Sequence, residues 1–460
     1  MKLRSGLMLS GIFVAGMVIG TVAQPLSRAM GDAAPADSTY QQLSLFGDIL
    51  TEVKQNYVID PPSDKLIYNA VNGMLAGLDP HSGYMNKQQY SDMQVQTSGQ
   101  FGGLGLEVTQ TKGLLKVITP IDDTPGARAG IKPGDIIVEI NGLSTDSLTL
   151  DDAVTKMRGQ PGTKVTLTLK RNGISTPVIV TLTREIIKIQ DVKDKILTSS
   201  AGPIGYIRLD SFDQNADPHI RKAVADLQRQ AHGPIHGYIL DLRDNPGGLL
   251  DQAVAVSNDF LNSGEIVSTH GRHSQDDAVW YAQPDGDITN GAPLVILTNA
   301  GTASAAEIVT AALQQNRRAL VLGTKTFGKG SVQTIMPIDN EGALRLTTAL
   351  YFTPSGKSIQ GFGVSPNVVV HDSATPDDAF ASLRETDLLN SFTNPTGMQS
   401  MPLPPAPPLP PVVSSIPSLP PAKWPAFDAS KPSTDFQLQM ALKLVSAMQP
   451  SGTATASNAP

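Results

Sequence analysis

Apolar residues between positions 44 and 78 recur at the spacing of one helix face, at Leu45, Ile49 and Val53 and again at Leu66, Ala70, Met74 and Leu78, and predict a small helical region. The pattern then changes. Gly102-Gly103-Leu104-Gly105-Leu106, the apolar run 117–121, the turn Gly130-Ile131-Lys132-Pro133-Gly134-Asp135 and the β-branched alternation over 165–169 predict a small β-rich domain ending near Thr183. From Ile204 to about His371, strand patterns (204–209, 237–242, 294–297, 320–322 and 344–352) alternate with helical ones (220–230 and 303–315). Such alternation predicts a partly parallel sheet. Beyond Pro395 the chain turns to Pro, Ser and Ala, and 402–411 is nearly polyproline, which reads as a stiff exposed spacer. A short amphipathic segment over 435–448 follows, with Ser433 and Thr434 as candidate caps, and is able to dock back on the body.

A chain of 460 residues exceeds what one core usually organises, so several domains are expected. The patterns divide it into an N-terminal segment 1–23, a helical region 38–98, a β-rich domain 99–184, an α/β core 185–375, a Pro-rich linker 395–433 and a terminal helix 434–449. The start, Met1-Lys2-Leu3-Arg4 and then apolar residues over 7–23 with small residues at Thr21-Val22-Ala23, reads as an export signal almost long enough to stay in a bilayer as an anchor. That expectation places the protein in the periplasm or on the inner membrane facing it. A net charge of −7 without any Lys/Arg block speaks against nucleic acid as a partner. The absence of cysteine excludes disulfides, thiolate metal sites and a cysteine nucleophile.

The run Val295-Ile296-Leu297-Thr298-Asn299-Ala300-Gly301-Thr302-Ala303-Ser304 leads from an apolar strand through small residues into a helix. A serine at that junction is exposed on a tight turn, beside helix N–H groups able to hold an oxyanion. A helix N-cap is the alternative reading of Thr302 or Ser304. A serine needs a base. None of the seven histidines, His81, His219, His232, His236, His270, His273 and His371, sits in a context suited to a Ser-His-Asp set. A buried lysine can serve instead, because burial favours the neutral amine. Lys329 in Thr326-Phe327-Gly328-Lys329-Gly330 is the best candidate, with Gln333 placed to orient its amine; a lysine in a solvated turn is the plain alternative.

Together these residues resemble the carboxyl-terminal processing, or tail-specific, serine proteases with a PDZ domain. In that family a Phe-Gly-Lys-Gly stretch holds the base 25 residues after the nucleophile, and Lys329 follows Ser304 at that interval. Leu240-Asp241-Leu242-Arg243-Asp244-Asn245-Pro246-Gly247-Gly248 resembles the family's oxyanion segment, so that Gly248 and Ala305 would supply the backbone donors. Leu78-Asp79-Pro80-His81-Ser82 and the segment from Asp435 to Leu442 also match. Leu104-Gly105-Leu106 resembles a PDZ carboxylate-binding loop, and Arg158 a family arginine thought to link that domain to the protease. Thr302 and Ala306 stand where the family often has serine.

The resemblance implies a multidomain α+β fold: a helical N-terminal region, an inserted PDZ-like domain, an α/β (crotonase/ClpP-like) serine protease core, a Pro-rich linker and a terminal helix. It implies an exported endopeptidase with a Ser304–Lys329 dyad assisted by Gln333. Neither metal nor cofactor is called for. The implied partners are unfolded or tail-exposed envelope proteins, with room for an adaptor, for membrane association through the N-terminal segment and for a homo-oligomer. A catalytically silent PDZ scaffold is the alternative.

Overall fold

The structure, a computed structural model, describes residues 36–111, 113–284, 286–339, 341–372, 383–397 and 409–450. The segment 1–23, read as an export signal, and most of the proline tract lie outside them. Two units are distinguished, one ending at Ile67 and one beginning at Tyr68. In the first, α1 (Ala36–Asn56) has the expected helical period, yet Leu45 and Ile49 stay exposed. Among the described residues no helix is long and apolar enough to cross a membrane.

After α2 (Ser63–Ala76) come the short strand β1 (Gly83–Asn86) and α3 (Lys87–Ser98). Asn86 caps α3, accepting the Gln89 N–H at 2.9 Å while the Gln89 side chain accepts the Asn86 N–H.

The β-rich domain hangs on two antiparallel strands. From β2 (Gln100–Gly103) the chain runs through β3 (Leu106–Thr111), β4 (Leu114–Pro120), α4 (Pro125–Arg128), β5 (Ile136–Ile140), β6 (Leu143–Ser144), α5 (Leu150–Met157), β7 (Lys164–Lys170) and β8 (Val178–Thr183). It returns in β9 (Glu185–Lys188), which sets Glu185 opposite Gly103 of β2. The sheet order is β3-β4-β5-β7-β8 with β6 on β5, so β3 is an edge strand. Strict alternation along β7 buries Val165, Leu167 and Leu169 against Leu115, Val117 and Ile137, and this face is the domain's core.

The second large domain is built on β10 (Val192–Ser199), β11 (Gly202–Leu209), α6 (Ala216–Gln230), β12 (Gly237–Asp241), α7 (Leu250–Asn258), β13 (Glu265–Gly271), β14 (Ala278–Tyr281), β15 (Leu294–Thr298), α8 (Ala305–Gln315), β16 (Leu320–Gly323), β17 (Ser331–Ile338), β18 (Gly342–Phe352), β19 (Val368–Val369) and α9 (Phe436–Ser446). Its main sheet has the order β10-β11-β12-β15-β16-β19, parallel from β11 onward. A second sheet, β1-β18-β13-β14 with β17 on β18, is antiparallel. The α+β class read from the sequence is the one observed.

A parallel sheet has to be covered on both faces, and its strands therefore read as unbroken apolar runs. In β15 every residue is buried: Ile296 joins Leu240 and the residues of α6, α7 and α8 on one side, while Val295 and Leu297 join Ile239, Leu320 and Leu322 on the other. That second face is closed by α9 through Phe436, Leu438, Ala441, Leu444 and Val445.

The chain preceding α9 departs from the exposed spacer expected from its composition. Val412, Val413, Ile416 and Trp424 pack on the same apolar face, and Trp424 meets Phe436 edge-on at 4.9 Å. Prolines bring no N–H that must be satisfied, so such a segment can lie along apolar surface at little polar cost. Neither Ser433 nor Thr434 caps α9. Asp435 does, accepting the Leu438 N–H at 3.0 Å, because its carboxylate is also held by the Arg243 guanidinium (3.0 and 2.7 Å). Arg243 grips Asp241 with its remaining donors (2.9 and 2.6 Å) and reaches Gln437 at 3.1 Å. Burial works against a charge on Asp241, but the Arg243 and Arg208 charges hold its carboxyl below the usual range. Asp241 and Arg243 are thus structural, joining the end of β12 to α9.

Replacing Asp435 by Ala removes both a cap and one partner of a buried ion pair, a loss of about 3 kcal/mol. The expected result is a melting temperature of the second large domain lowered by roughly 5–10 °C. An unchanged transition in differential scanning calorimetry would mean that α9 does not depend on this anchor.

Candidate active site

The carboxyl ends of β12, β15 and β16 lie side by side, and the loops leaving them build the site. The loops after β12 and β15 are sewn together. Asn299 Oδ1 accepts the Asp244 N–H (2.9 Å) and its Nδ2 donates to Asp244 Oδ1 (2.7 Å). The Ala303 N–H donates to the Asn245 carbonyl (2.9 Å), and the Thr302 hydroxyl to the Leu242 carbonyl (2.7 Å). Thr302, one of the two departures from the family pattern, is therefore a buried tie between loops. The Phe327 N–H donates to the Thr302 carbonyl at 3.0 Å and draws in the third loop.

Ser304 stands immediately before α8 with φ 55° and ψ −118°. A non-glycine residue pays strain for that conformation and is held there only by its surroundings. Its N–H donates to Glu307 Oε2 (2.9 Å), and its carbonyl, not its hydroxyl, accepts from the N–H groups of Glu307 (2.8 Å) and Ile308 (3.0 Å). Ala305 opens α8, so its N–H has no acceptor within the helix.

Across from it, a bridge joins Phe212 to Gly248 through the Phe212 and Leu249 N–H groups, which leaves the Gly248 N–H outside that pairing. Gly247 must be glycine. At φ +100°, a Cβ there would come within 2.8 Å of Ser304 Cβ and 2.9 Å of Ala305 N, filling the space an oxyanion would occupy.

Lys329 lies in the 324–330 loop, partly buried, with no ion-pair partner among the described residues. Burial, helped by the nearby Arg345 charge and opposed by Glu385, Glu307 and Asp79, pushes its amine down to about 8. Two buried side chains tie its backbone to that of Ser304. The fully buried Glu307 carboxyl accepts from the N–H groups of Ser304 (2.9 Å), Gly328 (2.8 Å) and Lys329 (2.9 Å) and from the Thr326 hydroxyl. Burial pushes Glu307 up to about 7 even against these four donors. The Tyr351 hydroxyl lies between the Lys329 and Ser304 carbonyls, the latter at 3.2 Å.

Gln333 is placed differently from its expected role. It follows a register shift in β17, and its amide donates to Ser331 Oγ (3.0 Å) and Thr347 Oγ1 (3.2 Å). Thr347 in turn donates to Asp79, which also accepts from the Ser82 hydroxyl and from the His81 and Ser82 N–H groups. His81 bonds the buried Glu385, whose neighbour Gln360 accepts the Gly330 N–H at 2.8 Å. The 78–82 motif thereby buttresses the lysine side of the site.

In the β-rich domain, the Leu104 carbonyl accepts the Gly126 N–H and the Gly105 carbonyl the Ile121 N–H, each at 2.8 Å, just before Leu106 starts the edge strand β3. Gly105 has φ +69°, and a Cβ there would lie 2.3 Å from Thr124. Arg158 bridges from the end of α5 to Asp92 of α3 at 3.0 Å and lies over the Phe101 ring at 5.0 Å.

Sequence reading missed Glu307 and Tyr351. A signal existed for the first, since Ser304-Ala305-Ala306-Glu307 has capping-box spacing. Tyr351 reaches the site only through sheet pairing, which no local pattern reveals.

Comparison with known proteins bears directly on this geometry. The profile of peptidase family S41 matches residues 203–370, and that of the PDZ domain matches 117–171. A carboxy-terminal-processing protease of Bartonella bacilliformis is 48% identical over 359 residues, covering 78% of this chain and 81% of that one. The chain belongs to the carboxy-terminal processing proteases, peptidase family S41. A Synechocystis carboxyl-terminal-processing protease is 36% identical over 69% of this chain and 74% of its own length. Among solved structures, a photosystem II D1 C-terminal processing protease is 29% identical over 74% of this chain and 95% of that one, with a TM-score of 0.42. The family makes this chain a serine peptidase carrying a PDZ domain. The PDZ match begins at Val117, beyond the 104–106 loop.

If the Lys329 amine is the base, kcat/KM should rise with pH along a single limb of apparent pKa near 8, where the amine becomes neutral. About a tenth of the enzyme would then be in the active protonation state at pH 7. A pH–rate profile flat between pH 6.5 and 9 would contradict this.

Proposed function

We propose that the chain is an exported endopeptidase that cuts proteins near their C-termini with a Ser304–Lys329 dyad. The observation that carries the reading is the pairing of a strained serine at the start of α8 with a lysine whose amine burial lowers to about 8, their backbones sharing the Glu307 carboxyl. Neutral Lys329 takes the Ser304 hydroxyl proton as Oγ attacks the scissile carbonyl carbon. The oxyanion gathers donors from the Gly248 and Ala305 N–H groups, strengthened by the N-terminal dipole of α8. Protonated Lys329 returns the proton to the leaving amine; a water that Lys329 then deprotonates attacks the acyl carbon, the Oγ–C bond breaks, and Lys329 gives its proton back to Ser304 Oγ.

Substrate tails would dock on the PDZ domain by adding a strand to the β3 edge, their terminal carboxylate facing the 104–106 loop. The leader-like segment 1–23 supports a periplasmic or inner-membrane-associated location, where tail-exposed envelope proteins are the substrates in reach.

Purified protein should cleave an unfolded reporter with an apolar C-terminal tail. Ser304→Ala and Lys329→Ala should each lower kcat by at least about a thousand-fold while still binding the tail. Equal turnover in all three would place the activity elsewhere, and tail binding without turnover in the wild type would favour a scaffold.

A further inference from the structure

Ser304 and Lys329 come from different loops, and their separation depends on what holds both backbones. Glu307 holds the two N–H groups; Tyr351 faces the two carbonyls. We propose that Tyr351 is a positioning residue: from β18 its hydroxyl bridges the Ser304 and Lys329 carbonyls and sets the registry of nucleophile and base. The proposal rests on the dyad reading above and adds a residue to it.

Three features suit Tyr351 to this task. Its side chain is 2% exposed, so the hydroxyl cannot swing into water. Its backbone is anchored beside the same loop, its own N–H donating to the Gly330 carbonyl at 2.9 Å. Main chain and side chain of one residue thus hold both Lys329 and Gly330, and β18 is fixed in turn by pairing with β13 on one side and β17 on the other. The third feature is charge. Burial, with Glu307 and Glu385 nearby, raises the phenol well above its ordinary value, so it remains a donor wherever Lys329 titrates. Glu307 changes protonation near neutrality, but the Tyr351 contact does not. The single phenol proton is shared by the two carbonyls, so the hydroxyl oxygen stands between the serine turn and the lysine loop.

The test compares the full chain with Tyr351→Phe, using Tyr238→Phe as a matched control. Tyr238 is likewise buried at 2% exposure, and among the described residues its hydroxyl accepts from the Gln228 amide, away from the loops of the site. The expected result for Tyr351→Phe is a kcat lowered at least about ten-fold with KM within about two-fold. The rising pH limb should also move up from about 8 toward the ordinary lysine value as the loosened amine gains water. Tyr238→Phe should keep wild-type kcat and limb. Wild-type kcat and limb in Tyr351→Phe would overturn the proposal, as would equal losses in both variants or a Tyr351→Phe chain that no longer folds, since the hydroxyl would then serve the fold and not the dyad. Ser304→Ala run in parallel separates the readings. If it is inactive while Tyr351→Phe behaves as wild type, only this proposal fails; if it keeps full activity, the dyad fails first.

Discussion

An amine is a base only when neutral, and in water a lysine amine is charged until well above physiological pH. Everything around Lys329 serves to change that. Removing water from the ammonium is the largest influence on it, and the Arg345 charge adds to the effect. Three carboxyls, Glu385, Glu307 and Asp79, oppose it, and each is occupied by other partners: His81 and Gln360 for the first, four donors for the second, Ser82 and Thr347 for the third. These carboxyls brace the loops while leaving the amine without a salt bridge among the described residues. The site is a place where acidic side chains are used for architecture and kept from pairing with the proposed base.

That arrangement requires a rigid frame, which the doubly covered parallel sheet provides. The ends of β12, β15 and β16 deliver the Gly247-Gly248 loop, the serine turn and the lysine loop to one edge, and backbone and side-chain bonds from Asn245, Asn299 and Thr302 lock the three together. The strain at Ser304 is sustained by this lock. On the far face α9 completes the core, and the Asp241–Arg243–Asp435 network ties it to the end of β12, where the Gly247-Gly248 loop begins. Residues 409–450 therefore belong to the catalytic domain's structure and not to a tail.

Much of this was legible in the chain. The alternation of strand and helix patterns announced a partly parallel sheet, and small residues leading into a helix marked Ser304. Reading stopped where contacts depend on distant pairing. Tyr351 looks like any aromatic in a strand, and Gln333 seems aimed at Lys329 until the register shift in β17 turns its amide to Ser331 and Thr347. Composition misled over 409–433: proline suggested a spacer, but Val412, Val413, Ile416 and Trp424 decide where the segment lies. The cap of α9 was misread by two residues or fewer because Asp435 answers to Arg243 across the fold as well as to its own helix.

The most direct measurement is the rate of covalent labelling by a fluorophosphonate probe as a function of pH, with the modified residue located by peptide mass mapping. The account predicts one adduct, on Ser304, forming along a limb near pH 8 in the wild type and scarcely at all in Lys329→Ala. Labelling at another residue, or a Ser304 rate indifferent both to pH and to the loss of Lys329, would contradict it.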